Sequence, residues 1–237
     1  MKMKSIFLLA TIVAFVAASC QQGGSGKSPK LVTEYDSTSY ALGVLIGQQN
    51  KQGLESFPGG NELDVNIIAQ AFRLFLNGDS VSMTPEEANE LVGKFFEKMQ
   101  NQASQKNLEE GNAYLEKNKA REGVITTESG LQYEILTAGE GPKPAAEDVV
   151  KVHYHGTTID GKVFDSSVDR GEPVEFPVSN VIPGWVEALQ LMPVGSRWKL
   201  YIPGELGYGE RGAGGDIGPN SVLIFEVELL EIVSENK

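Results

Sequence analysis

The residue types that could carry covalent or metal chemistry are few in this chain. Its only two histidines, His153 and His155, lie two residues apart on a predicted strand, so their side chains share one face and could begin a metal site. No cysteine and no obvious third ligand is near them in the sequence. A structural or exposed role is therefore favoured over metal binding, and we expect neither a metal nor a cofactor.

Aromatic and branched aliphatic residues in the second half of the chain are the other candidates. They are Tyr154, Phe164, Phe176, Val181, Ile182, Trp185, Tyr208, Ile217 and Phe225. Residues of these types are most often part of a hydrophobic core, and that is the simplest interpretation of their composition. The alternative is that they line an apolar pocket that binds a ligand.

The elements that must position this set begin with a hairpin. Val150, Val152 and Tyr154 alternate with polar residues, which is the pattern of a half-buried strand. Asp160 and Gly161 then predict a tight turn into a second short strand. The aromatic residues of this hairpin are therefore expected on its inner face.

A short helix follows the hairpin. Pro183 and Gly184 begin it, and Trp185, Leu189 and Met192 recur at helical spacing, so Trp185 is expected on the side facing the sheet.

Three further strands complete a small antiparallel sheet that wraps over this helix. Residues 130–136 are predicted as the first strand of the unit, after a boundary at 122–128. Residues 198–202 and 222–230 are predicted as the last two strands.

The region upstream, about residues 36–121, has the pattern of helices. Apolar residues recur at helical spacing within residues 68–75, and Thr84 with Pro85 is a strong start signal for a third helix. If that helix extends to about residue 120, it is roughly 55 Å long at 1.5 Å per residue. Its second half is almost wholly polar, which predicts a solvent-crossing stalk between two bodies.

Three short amphipathic helices make a small core, so association with a second copy is favoured. Gly43 and Gly47 would let another helix approach closely. The alternative is a monomeric helical cap that folds against the C-terminal domain.

The first residues predict a targeting segment. Lys2 and Lys4 precede an apolar run, and the small residues before Cys20 complete a secretory signal. Cys20 is the only cysteine, which excludes an intramolecular disulfide. Its position is similar to a lipoprotein cleavage site, where Cys20 would carry the lipid. A plain signal peptide with an incidental thiol is the alternative.

The formal net charge of −12 at pH 7 excludes a nucleic-acid backbone as the expected partner.

Several separated motifs make a family resemblance specific. The runs VHYHGTTIDGKVFDSS, VIPGWVEALQLMPVGSRWKLYIP and SVLIFEVELL, in this order and spacing, resemble an FKBP-type peptidyl-prolyl cis-trans isomerase domain. With the helical region and the leader, the whole chain is similar to the Mip/FkpA class of bacterial envelope isomerases. The sequence departs from the common pattern at Val174, at Ala213 and Asp216, and at Gly218, where the first of two prolines is usual.

The resemblance implies catalysis of rotation about the bond before proline. Resonance makes that rotation slow, with a barrier of about 18–20 kcal/mol. The planar amide carries more separated charge than the twisted transition state, so a dry aromatic pocket disfavours the ground state. Such catalysis needs no nucleophile, metal or cofactor.

The matching positions imply roles for individual residues. The catalytic residues would be Tyr154, Phe164, Asp165, Trp185, Tyr208 and Phe225. The substrate-binding residues would be Phe176, Val181, Ile182, Ile217 and Arg170. Without the resemblance, Asp165 could equally be a turn-capping carboxylate and Arg170 a solvated surface charge.

The expected fold is α+β: an all-helical N-terminal domain, a long connecting helix, and an FKBP-like antiparallel sheet wrapped over one short helix. The expected segments are a lipoprotein signal (1–19), a flexible tether (20–33), a helical dimerisation domain with the stalk helix (34–121) and an isomerase domain (122–237).

The resemblance also implies the setting of the protein. The partners would be proline-containing, unfolded or nascent envelope polypeptides, and the protein would be a homodimer. The lipid on Cys20 would hold it in the periplasm, at the outer membrane because Gln21 follows the cysteine. The alternative function is a peptide-binding holdase chaperone that uses the same pocket with little or no catalysis.

Overall fold

A computed structural model describes residues 28–233. The predicted signal peptide (1–19), the lipidated Cys20 and most of the tether (20–33) lie outside the described residues. The described chain begins with three helices, α1 (Glu34–Glu55), α2 (Val65–Asn77) and α3 (Pro85–Asn118). No helix in the described range is long and apolar enough to cross a bilayer.

The ends of α2 and α3 follow from local sequence. The Asp64 carboxylate accepts a hydrogen bond from the backbone N–H of Asn66 (2.8 Å), and Gly78 ends α2 in the left-handed conformation. Thr84 and Glu87 form a reciprocal capping box at the start of α3, with Pro85 as the first helical residue. The predicted start of the third helix is therefore confirmed.

Seven strands in the described chain form one antiparallel sheet. They are β1 (Val124–Thr126), β2 (Gln132–Thr137), β3 (Val149–Thr158), β4 (Val163–Ser166), β5 (Val174–Pro177), β6 (Arg197–Ile202) and β7 (Leu223–Val233). Their order is β1-β2-β6-β7-β3-β4, and β5 pairs with the other end of the β3 edge. The fold class predicted from the sequence is confirmed.

Two short helices complete the second half of the chain, α4 (Ser167–Arg170) and α5 (Pro183–Leu191). α5 packs on the sheet with Trp185, Leu189 and the following Met192 buried, as their spacing predicts. Gly184 allows this packing, because a Cβ at residue 184 would lie 2.6 Å from Cγ2 of Ile202.

The first strand differs from the prediction. β1 lies within the segment that we expected to be a boundary, and it pairs with β2 through Val124 and Glu134. Three residues are too few to show the alternation that identifies a strand in a sequence.

The second half of α3 also differs from the prediction of a stalk surrounded by solvent. Gly111, Leu115 and Asn118 are buried, and Leu115 packs with Tyr201 and Val222 of the sheet domain. The Asn118 side chain donates to Oε1 of Gln132 (2.8 Å). These contacts are made by a glycine, one tyrosine (Tyr114), one leucine and polar side chains, and the sequence of this half is too polar for an apolar periodicity to reveal them.

Candidate functional site

A cavity of about 470 Å³ opens between the sheet, α5 and the segment that joins β6 to β7. The residues that line it are Tyr154, Phe164, Asp165, Phe176, Asn180, Val181, Ile182, Trp185, Tyr208, Ala213, Gly214, Asp216, Ile217 and Phe225. The structure thus brings ten of the predicted site residues around a single cavity. Arg170, the eleventh, is paired with Asp165 instead of lining the cavity.

The buried end of the cavity is an aromatic cluster around Trp185. The Trp185 ring lies nearly perpendicular to Tyr154 (centroids 5.4 Å apart), Phe225 (5.2 Å) and Phe176 (6.1 Å). Phe164 makes the same kind of edge contact with Phe225, at 5.3 Å. Perpendicular packing is a favourable arrangement of aromatic quadrupoles, so these ring contacts stabilise the cluster.

A glycine that the sequence analysis did not identify allows two of these rings to meet. A Cβ at Gly156, on β3, would lie 2.7 Å from the Phe164 ring and 2.8 Å from the Phe225 ring. Gly156 pairs with Phe225 across β3 and β7. A glycine inside an otherwise β-branched and aromatic strand is the signal that could have indicated this close approach.

A polar network lies at one side of the cavity. The Tyr154 hydroxyl donates to Oδ2 of Asp165, and Arg170 donates to Oδ1 of Asp165 and, at 2.9 Å, to the Tyr154 oxygen. Short helix α4 returns Arg170 towards Asp165, because Ser166 caps its start by accepting from the Asp169 N–H (3.1 Å). The Arg170 guanidinium also lies 5.6 Å from the centre of the Tyr154 ring.

The network shifts the pKa values of its members. Partial burial opposes ionisation of Asp165, but the hydrogen bonds from Tyr154 and Arg170 and the Arg170 charge outweigh it, so the pKa of Asp165 is lowered. Burial raises the pKa of Tyr154, and the hydrogen bond to Asp165 raises it further. Asp165 is therefore a carboxylate and Tyr154 a neutral phenol at neutral pH.

Two hydrogen-bond donors are available to a bound peptide. The Tyr208 side chain is 42% exposed, and its hydroxyl has no partner among residues 28–233. Burial and the nearby Asp165 charge raise the pKa of Tyr208, so the hydroxyl keeps its proton. The Ile182 N–H precedes α5 and likewise meets no acceptor in the described part of the chain.

The two histidines lie outside the cavity, on the opposite face of β3. Nδ1 of His153 is 3.1 Å from the Ser167 hydroxyl, and Nδ1 of His155 is 3.0 Å from the Ser166 hydroxyl. Across the described residues, no three His, Cys, Asp or Glu side chains are grouped so that they could hold a metal ion.

Comparisons with known proteins agree with this geometry. The family described as "FKBP-type peptidyl-prolyl cis-trans isomerase" matches residues 141–230, and that described as "Domain amino terminal to FKBP-type peptidyl-prolyl isomerase" matches residues 35–135. The chain is 49% identical over 210 residues to the "FKBP-type 22 kDa peptidyl-prolyl cis-trans isomerase" of Escherichia coli K12, covering 87% of this chain and 99% of that protein.

Two further comparisons extend the similarity over both halves of the chain. The "Outer membrane protein MIP" of Legionella longbeachae is 38% identical over 240 residues, covering 98% of each chain. The crystal structure of FkpA from Escherichia coli superposes with a TM-score of 0.60 at 36% identity, over 84% of this chain and 97% of that one. The chain therefore belongs to the FKBP-type peptidyl-prolyl cis-trans isomerases, enzymes that rotate the peptide bond preceding proline.

Proposed function

We propose that the aromatic cavity around Trp185 is the isomerase site. The observation that supports this is the convergence of strands β3, β4, β5 and β7, helix α5 and the β6–β7 segment on one apolar cavity that has hydrogen-bond donors at its edge. A proline ring would rest on Trp185, with Tyr154, Phe164 and Phe225 around it.

Catalysis then follows from solvation. A planar Xaa-Pro amide carries a larger charge separation than the twisted amide, and water stabilises the planar form more. Transfer into a cavity lined by aromatic rings removes that water, so the planar ground state loses more stabilisation than the transition state does. No covalent intermediate is required.

The donors at the edge would fix the peptide in place. The Ile182 N–H and the Tyr208 hydroxyl would each donate to a substrate carbonyl, while Phe176, Val181 and Ile217 would contact neighbouring side chains. Asp165 would fix the orientation of the Tyr154 ring through its hydroxyl, and Arg170 would keep Asp165 ionised.

The helical region is proposed to be a dimerisation domain (34–121) that holds two isomerase domains (122–237). No residue of α1 or α2 is buried within the described chain. Most of the apolar side chains of both helices are exposed, and a contiguous exposed apolar surface is typical of a protein–protein interface.

We also propose that residues 1–19 are a lipoprotein signal, that residues 20–33 are a tether, and that Cys20 carries lipid. A relative named as an outer membrane protein supports an envelope location. The substrates would then be proline-containing, unfolded envelope polypeptides. Mass spectrometry of the purified N-terminus tests the lipid, and Cys20→Ala should release the protein from membranes.

The experiment that tests the site compares two tyrosines in the same domain. Tyr208→Phe removes one hydrogen bond to the substrate, worth about 0.5–1.5 kcal/mol, so kcat/KM for an Xaa-Pro peptide should fall about 2–10-fold. Tyr133→Phe is the matched control, because Tyr133 stacks on Trp198 (centroids 4.3 Å apart) and does not line the cavity. Exchange NMR on a short Xaa-Pro peptide measures kcat/KM for the two variants.

A well-folded wild-type chain without catalysis would overturn the isomerase site. The holdase alternative predicts that outcome, together with suppression of client aggregation and unchanged rates of proline-limited refolding.

A further inference from the structure

One wall of the cavity is formed by a glycine-rich loop, residues 209–221, which we call the flap. Two backbone hydrogen bonds between Ala213 and Ile217 (2.8 and 3.0 Å) fold its tip, and the Asn220 N–H donates to the Gly209 carbonyl (2.7 Å) to close its base. Ala213, Gly214, Asp216 and Ile217 face the cavity. The position of the flap therefore sets the width of the cavity.

Little within the flap itself fixes that position. Gly209, Gly212, Gly214 and Gly215 all have positive φ. Glycine loses more conformational entropy on ordering than any other residue, so this loop is costly to hold in one conformation. Contacts with residues outside the flap must therefore supply the restraint.

One such contact comes from the β3–β4 turn, where Lys162 Nζ lies 2.8 Å from Oδ1 of Asp216, and the contacts at the base of the flap come from α3. The Asn107 side-chain amide donates to the Pro219 carbonyl (2.8 Å), and the Asn220 amide donates to the Ser104 hydroxyl (2.7 Å). The Asn107 amide also lies 3.4 Å from the Ser221 hydroxyl. Two successive turns of one helix thus hold two successive residues at the base of the flap.

The flap is shaped for this contact. A Cβ at Gly218 would lie 2.9 Å from Nδ2 of Asn107, so any larger residue at 218 displaces the amide. The turn after α1 also approaches the flap, because a Cβ at Gly215 would lie 2.6 Å from the Cβ of Ser56 in that turn.

We propose that Ser104 and Asn107 are positioning residues that hold the flap over the isomerase cavity, so that helix α3 takes part in substrate binding. This inference rests on the proposed function of the cavity. Neither residue touches the substrate. They act by ordering Ala213, Gly214, Asp216 and Ile217 before a peptide binds, which lowers the entropy lost on binding.

The test compares two asparagines of the same helix in the purified full chain. Asn107→Ala removes the contact with Pro219. Asn101→Ala removes the same side-chain atoms from an exposed residue of α3 and changes the helix propensity by the same amount. We expect Asn107→Ala to raise KM for an Xaa-Pro peptide about 3–10-fold with little change in kcat, as loss of a hydrogen bond worth about 1 kcal/mol implies. Asn101→Ala should behave as wild type.

A second pair tests the other contact. Ser104→Ala should raise KM as well, and Ser104→Thr, which keeps the hydroxyl, should restore it. A loss of stability by itself would not produce this pattern of rescue.

Hydrogen exchange separates the inference from the proposed function. Amides of residues 211–218 should exchange faster in Asn107→Ala than in wild type, while amides of β6 and β7 should not change. Faster flap exchange would support the positioning role even if the wild-type chain showed no isomerase activity, an outcome that overturns the proposed function alone. Unchanged flap exchange and unchanged KM in Asn107→Ala would overturn the positioning role.

Discussion

The electrostatic state of the cavity depends on three side chains. Asp165 and Arg170 compensate each other's charge, and the Tyr154 hydroxyl bonds to both. Asp165 has a lowered pKa, so its network is complete above the ordinary carboxyl pKa of about 3.9 and is lost as pH falls through the lower value in the folded protein. Tyr154 and Tyr208 have raised pKa values, so both stay neutral to above about pH 10.

The first prediction is that kcat/KM is flat between about pH 5 and pH 9, because the Asp165 carboxyl and the Tyr154 and Tyr208 hydroxyls do not titrate in that range. Exchange NMR on an Xaa-Pro peptide across this range measures it. A step in kcat/KM within this range would contradict the prediction.

A companion variant tests whether the hydrogen-bond network raises the pKa of Tyr154. Burial raises the pKa of Tyr154 and the hydrogen bond to the Asp165 carboxylate raises it further. Asp165→Asn replaces that carboxylate by a neutral amide, so Tyr154 should ionise at lower pH in an ultraviolet difference titration. Asp169→Asn, an exposed carboxylate outside the cavity, should leave that titration unchanged.

At this scale, strand alternation and helical spacing predict that Tyr154 and Trp185 face the interior, whereas the prediction that the aromatic side chains line a pocket comes from the family resemblance. The sequence did not predict Gly156, Asn180 or Gly214 as parts of the site. A glycine contributes by what its missing side chain admits, and that can be recognised only when the neighbouring rings are placed in three dimensions.

Among the helices, α3 shows how a polar sequence can still form a packing surface. The residues that contact the sheet domain recur at helical spacing along one side, and they are Gln100, Ser104, Asn107, Gly111, Leu115 and Asn118. Periodicity of apolar residues identifies the upstream half of the helix and misses this side. Hydrogen bonds and one close approach add to the small hydrophobic cluster around Leu115 here.

The second prediction concerns that close approach. A Cβ at Gly111 would lie 2.7 Å from Cγ2 of Val222, whereas one at Gly93, on the same helix, meets no atom of the described chain within 4 Å. Both substitutions to alanine gain about 1 kcal/mol of helix propensity. Only Gly111→Ala adds overpacking, typically about 1–3 kcal/mol, so its sheet domain should unfold at lower urea concentration than that of Gly93→Ala.

Tryptophan fluorescence is the suitable probe, because Trp185 and Trp198 are both buried in the sheet domain. Equal urea midpoints for the two variants would contradict the packing of α3 on the sheet.

For the molecule as a whole, the upstream helices carry apolar surface that one chain does not cover. A groove of about 860 Å³ between α2 and α3 is lined by residues that include Ile67, Phe72, Phe75 and Val92. Phe75 is 60% exposed and Ile67 65% exposed. Helix α2, with 13 residues, is marginal in water unless its apolar face is buried, so we expect a second copy to cover it.

The last prediction is that the protein is a dimer and that Phe75→Glu makes it a monomer, because a carboxylate in an apolar interface is strongly disfavoured. Analytical ultracentrifugation measures the change. The control is Arg73→Ala, which alters an exposed residue of the same helix, shifts the net charge in the same direction and should leave the dimer intact.

Each chain forms its own cavity, so the monomer should isomerise a short Xaa-Pro peptide at the wild-type rate. Its effect on the refolding of a long client should fall, because two linked sites raise the effective concentration of one for the other. A monomeric wild-type chain would contradict the assembly, and a monomer equally active on long clients would show that pairing serves stability alone.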